Sequence, residues 1–85
     1  MRLDKFLKLS RIIKRRSVAD DACNAGRVQI NGKVSKSGAR VKVGDILTVS
    51  FAGKSVSCRI LKISETVKKD EASQMYEYIS ENKEI

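Results

Sequence analysis

Histidine, proline and tryptophan are absent from these 85 residues, cysteine occurs twice, and the aromatics stop at Phe6, Phe51, Tyr76 and Tyr78. Without histidine, no unperturbed side chain changes charge near neutral pH, so acid–base catalysis lacks its usual participant. Asp20 and Asp21 are adjacent; on a helix they diverge by about 100°, so they form no catalytic carboxylate pair and read as helix N-terminal acids. Gly26, Gly32, Gly38, Gly44 and Gly53 are spaced as turns, outside any phosphate-loop pattern. These absences predict no enzyme and no cofactor. Cys23 and Cys58 are too far apart to supply the closely spaced ligand pairs of a zinc site. Both sit in apolar patterns and read as small core residues in a reducing cytosol. No apolar run is long enough to span a bilayer, and the N-terminus has no signal-peptide stretch. The expectation is a soluble, cytoplasmic protein with no membrane partner.

What the chain does have is positive charge. Eighteen Lys and Arg against ten Asp and Glu give +8. Through Ser64 there are 15 basic and 4 acidic residues, net +11; from Glu65 onward there are 3 and 6, net −3. A basic body with an acidic tail points to a polyanionic partner. A chain this short makes one domain that buries only roughly 60% of its unfolded surface, leaving little volume for a deep substrate cavity.

Leu3, Phe6 and Leu7 fall at helical spacing and predict a first helix, with Lys5, Lys8 and Arg11 on its other side. Residues 11–16 connect it to a second helix expected to begin at Ser17, with Asp20 in the capping-box position. Val18, Ala19, Ala22 and Cys23 form its small-residue stripe, and Gly26 suits a left-handed C-cap. From Arg27 the period becomes two. Val28 and Ile30 precede Asn31-Gly32, a two-residue hairpin signal. Val34, then Val41 and Val43, then Leu47, Val49 and Phe51 alternate with polar residues, divided by Gly44-Asp45. Val56, Cys58 and Ile60 predict the last strand. Ala72, Met75, Tyr76 and Ile79 return to helical spacing. The fold class expected is α+β: two short N-terminal helices on a small, twisted, mostly antiparallel sheet, with a C-terminal helix. Residues 1–64 make the domain, and 65–85 an acidic amphipathic helix that is not a separate domain.

Between Arg2 and Arg16 stand seven cations, namely Arg2, Lys5, Lys8, Arg11, Lys14, Arg15 and Arg16, against Asp4 alone. Such crowding costs repulsion that a polyanion relieves. Guanidinium groups there grip phosphate bidentately, and the free N–H groups beside Arg16 and Ser17 add an anion site. The aromatics read as core or tail residues, so recognition rests on backbone and shape rather than base stacking. Two readings from other classes stand beside RNA binding. A helix-turn-helix DNA regulator is one, although Asp20 and Asp21 make a poor major-groove face; the other is a protein-interaction adaptor built on the tail helix.

The order and spacing of Arg2-Leu3-Asp4-Lys5-Phe6-Leu7, Lys14-Arg15-Arg16-Ser17-Val18-Ala19, Gly26-Arg27-Val28-Gln29-Ile30-Asn31-Gly32-Lys33 and Val43-Gly44-Asp45 resemble the RNA-binding domain named after ribosomal small-subunit protein four, the αL motif. Ile30 replaces the commoner Val and preserves the strand. Among stand-alone members, the chain is similar to the fifteen-kilodalton heat-shock protein family and, more closely in length, to its short Gram-positive relatives, the ribosome-associated quality-control RqcP family. The resemblance implies a factor that binds large ribosomal subunits still holding peptidyl-tRNA. It would contact large-subunit rRNA and tRNA while a nascent-chain tailing factor directs alanine tailing; a monomer is expected. Carried onto this sequence, the RNA contacts are Arg2, Lys5, Arg11, Lys14, Arg15, Arg16 and Ser17, followed by Arg27, Gln29, Lys33, Lys36 and Arg40 on the hairpin side.

Overall fold

A computed structural model describes residues 1–51, 53–65 and 67–83. Helix α1 spans Leu3–Leu9 and buries Leu3, Phe6 and Leu7 completely, the face set by their spacing. It ends where Arg11 turns left-handed, at φ 60°, with its N–H donating to the Lys8 carbonyl. Helix α2 spans Arg16–Asn24 and buries Ala19 and Cys23. It starts one residue before the expected Ser17, and the capping box does not form: Arg15 stands at the N-cap with no side-chain bond. Ser17 therefore lies inside the first turn. Val18, expected in the buried stripe, is 49% exposed. Gly26, at φ 76°, closes the helix as expected. Its N–H reaches the Cys23 carbonyl and the Arg27 N–H the Ala22 carbonyl, the paired bonds of a Schellman cap.

Strands β1 (Val28–Ile30), β2 (Lys33–Val34), β3 (Ile46–Phe51), β4 (Lys54–Ile60) and β5 (Tyr76–Lys83) form one antiparallel sheet in the order β2-β1-β3-β4-β5. The β1–β2 turn places Asn31 (φ 52°) and Gly32 (φ 81°) both left-handed, the type I′ geometry that matches strand twist. Asn31 also works at a distance: its Oδ1 accepts the Ile46 N–H at 2.9 Å and its Nδ2 donates to Asp45 at 3.1 Å. Buried Asp45 takes the Lys42 N–H at 3.0 Å as well.

Two sequence expectations fail here. Val41 and Val43 are not in a strand: the segment is a turn closed by Asp45, with Val41 buried and Val43 59% exposed. Its backbone serves the N-terminus instead. The Val41 N–H donates to the Met1 carbonyl, Arg2 bridges Arg40, and the Leu3 N–H donates to Ala39. Among the described residues the C-terminal helix is also absent. Residues Lys69–Met75 form a 3₁₀ helix that buries Ala72 and Met75, and Tyr76–Lys83 is strand β5, so β4 is not the last strand. The competing pull is the open edge of β4, whose Lys54–Ile60 backbone pairs along β5 with a register shift at Ser57/Cys58. Paired backbone groups outweigh a short amphipathic pattern.

The core joins α1 and α2 to one sheet face through Phe6, Leu7, Val28, Leu47, Cys58, Ile60 and Met75. Cys23 and Cys58 are free thiols inside it, and burial pushes each up to about 11. A thiol protonated longer in the folded state holds stability fully below its unfolded pKa near 9 and loses it as pH rises through about 11. At pH 8 the native protein should react at least tenfold more slowly with a thiol-specific aromatic disulfide than the denatured chain. Equal rates would place a thiol at the surface.

Candidate nucleic-acid interface

The site is organised by a carboxylate, Asp4, in the first turn of α1 and only 3% exposed. One oxygen accepts the Lys5 N–H at 2.8 Å and Arg2 Nε at 3.2 Å; the other faces Arg2 Nη2 at 3.4 Å and Arg16 Nε at 3.5 Å. Arg2 precedes α1 and Arg16 opens α2, so one buried acid ties the two helix starts together. About half of each guanidinium side chain remains exposed. The arginines are held by one edge and present the rest to solvent. A guanidinium pinned this way loses less rotamer entropy on meeting a phosphate than a free one.

Lys5 lies next along the same helix and pairs with Glu65, the first acidic residue of the tail. That bond and the Lys5 charge, with the N-terminal amine and Arg40 adding to it, hold the Glu65 carboxyl below the usual carboxylate range. Arg40 faces this group from the 37–41 segment. Lys14, Arg15 and Ser17 are exposed on the connector and first turn of α2. Arg11 and Lys14, with Lys8, line a polar cleft of about 90 Å³ at the C-terminal end of α1.

The hairpin candidates divide. Lys36 reaches the C-terminal end of α2, its Nζ donating to the Asn24 carbonyl at 3.4 Å. Lys33 is exposed at the start of β2. Gln29 alternates with buried Val28 and points to the sheet face away from the helices, beside Thr48. Arg27 lines a hollow with Val18 and Ala22 on a different flank of α2 from Arg16. The structure thus brings together Arg2, Lys5, Arg16 and Arg40, and sets Gln29 and Arg27 apart. Sequence spacing misses the Asp4–Arg16 and Lys5–Glu65 pairs because both join separate elements. It also misses the Asn31–Asp45 bond, although both residues stand in turn motifs.

Comparison with known proteins finds relatives in both sequence and structure. The S4 domain family profile matches residues 1–47. The RQC P-site tRNA stabilizing factor of Halalkalibacterium halodurans is 53% identical over 77 residues, covering 91% of this chain and 88% of that protein. The factor of the same name from Bacillus subtilis is 48% identical over 83 residues, covering 98% and 96%. Among solved structures, trimeric heat shock protein 15 of Vibrio cholerae superposes with a TM-score of 0.85 at 32% identity, over 94% of this chain and 82% of that one.

Proposed function

The chain belongs to the S4 domain family, and from that premise we propose that it is a non-enzymatic factor that docks on the large ribosomal subunit and steadies P-site tRNA. The observation that carries the reading is the Asp4 clamp, which holds two half-exposed arginines from two helix starts in one place. A paired, half-exposed guanidinium suits a phosphate backbone of fixed shape. In this reading Arg2, Arg16 and Ser17 seat rRNA and tRNA backbone, and Lys5, Arg11, Lys14, Arg15 and Arg40 extend the contact, with Lys33 and Lys36 at its margin. Lys5 exchanges Glu65 for phosphate on binding. The tRNA is peptidyl-tRNA on a stalled large subunit, held while a nascent-chain tailing factor adds alanine. The factor works in the cytoplasm as a monomer.

The test is co-sedimentation with large subunits carrying peptidyl-tRNA, across a potassium chloride series. With six to ten phosphate contacts, affinity should fall by about 10³–10⁵ between roughly 50 and 200 mM salt. Duplex DNA of matched length should bind far more weakly. Equal affinity for that DNA, or no co-sedimentation at low salt, rejects the proposal.

A further inference from the structure

Helix α2 has a second flank that the clamp does not use. At about 100° per residue, Val18, Asp21, Ala22 and Ala25 lie between about 140° and 240° around the axis from Arg16. There the helix, its preceding connector and the end of β3 enclose a groove of about 320 Å³ with an apolar lining of Ile12, Ile13, Val18, Ala22, Val49 and Phe51. Val18 is 49% and Phe51 44% exposed. A second hollow of about 300 Å³ continues the groove past Asp21, and Arg27 lines both.

Arg27 is fixed at its backbone from two sides. Its N–H donates to Ala22 as part of the helix cap, and its carbonyl accepts the Ser50 N–H at 2.8 Å. Among the described residues its guanidinium has no hydrogen-bond or ion-pair partner. A positioned, unpaired cation beside contiguous exposed apolar side chains calls for an acid and an apolar group together. A nucleotide would bring the acid but needs an aromatic face for its base. Phe51 is the groove's lone aromatic, and the Lys54 ammonium already stands 5.8 Å from its ring centroid. Apart from Ser50 and Arg27 the remaining lining, Ile12, Ile13, Val18, Ala22 and Val49, is aliphatic and fits an aliphatic side chain.

We propose that this groove docks a protein segment presenting an aliphatic side chain beside a carboxylate. The side chain sits between Val18 and Phe51, and the carboxylate pairs with Arg27. Since the groove lies on the flank of α2 away from Arg16, RNA and this partner are held at the same time, one on each side of a single helix.

The test replaces Phe51 of the full chain with the photo-crosslinking residue p-benzoylphenylalanine and irradiates living cells. The expected adduct is protein: it survives ribonuclease, maps to a segment with Asp or Glu beside an aliphatic residue, and falls at least tenfold on Arg27→Glu. Reversing that acid to Lys in the partner should restore the adduct to Arg27→Glu. Val18→Asp, which places a charge in the lining at an exposed helix position, should abolish the adduct while RNA affinity stays within twofold. An adduct that ribonuclease removes would assign the groove to RNA and overturn the proposal. So would no adduct, or one indifferent to Arg27→Glu. None of these outcomes bears on the Arg2–Arg16 face, whose failure is read separately by subunit co-sedimentation.

Discussion

Changing Arg2 and Arg16 together to alanine should lower affinity for the large subunit by about 10²–10⁴-fold, each lost charge-assisted contact being worth roughly 1.5–3 kcal/mol. The slope of log affinity against log salt should flatten by about two, one for each phosphate released. Their loss also leaves the buried Asp4 carboxylate without its two cations, so the thermal midpoint should fall as well, and binding is compared at a temperature where both proteins are folded. Asp4→Asn makes the informative comparison. It keeps an oxygen for the Lys5 N–H and both cations, but removes the charge that pins them. The salt slope should stay as it was, while affinity falls about tenfold through the roughly 0.5–1.5 kcal/mol of rotamer freedom each arginine regains. An Asp4→Asn protein that binds as tightly as the parent would show that the carboxylate positions nothing. A double arginine variant with an unchanged slope would move the phosphate contacts elsewhere.

Removing residues 67–85 should have the largest effect on stability. A detachable tail helix would leave the rest of the domain nearly untouched. The tail is instead built in: Met75 is 1% exposed, and its carbonyl accepts the Leu61 and Lys62 N–H groups. Losing one buried methionine side chain costs about 2–5 kcal/mol, and the truncation also uncovers Ile60 and opens the whole β4 edge. A domain of this size holds only about 5–15 kcal/mol in total. The truncated chain should unfold at a midpoint at least ~15 °C lower, or be unfolded at 37 °C, by circular dichroism. A midpoint within a few degrees of the full chain would show β5 to be an appendage.

The parts legible in the sequence are those decided by near neighbours. Leu3, Phe6 and Leu7 share a face whatever they pack on, and Asn31-Gly32 forms a turn because both residues tolerate positive φ. The tail misleads because Ala72, Met75, Tyr76 and Ile79 satisfy a helical period by coincidence. Tyr76 and Tyr78 equally satisfy a period of two, and their rings meet edge-on, 5.7 Å apart. The unpaired edge of β4 decides between them, and no window of local sequence contains it. Val41 and Val43 fail for a similar reason: the 37–41 backbone finds its partners at Met1, Arg2, Leu3 and Asp4. In the candidate site, the cationic cluster is legible as composition, but its organisation is not. Asp4 reaches Arg16 only because two helices cross, and Arg27 departs because the chain reverses at Gly26.

Arg11 shows what this arrangement costs the free protein. It holds a backbone conformation that suits glycine, at φ 60°, at a cost of about 1–3 kcal/mol for a side-chain-bearing residue. Directed evolution for heat resistance alone would therefore drift toward glycine there, and the hardier protein that emerged would have surrendered a cation from the cleft it shares with Lys8 and Lys14. In the proposed role, thermal robustness and a cation for the RNA backbone pull this one residue in opposite directions.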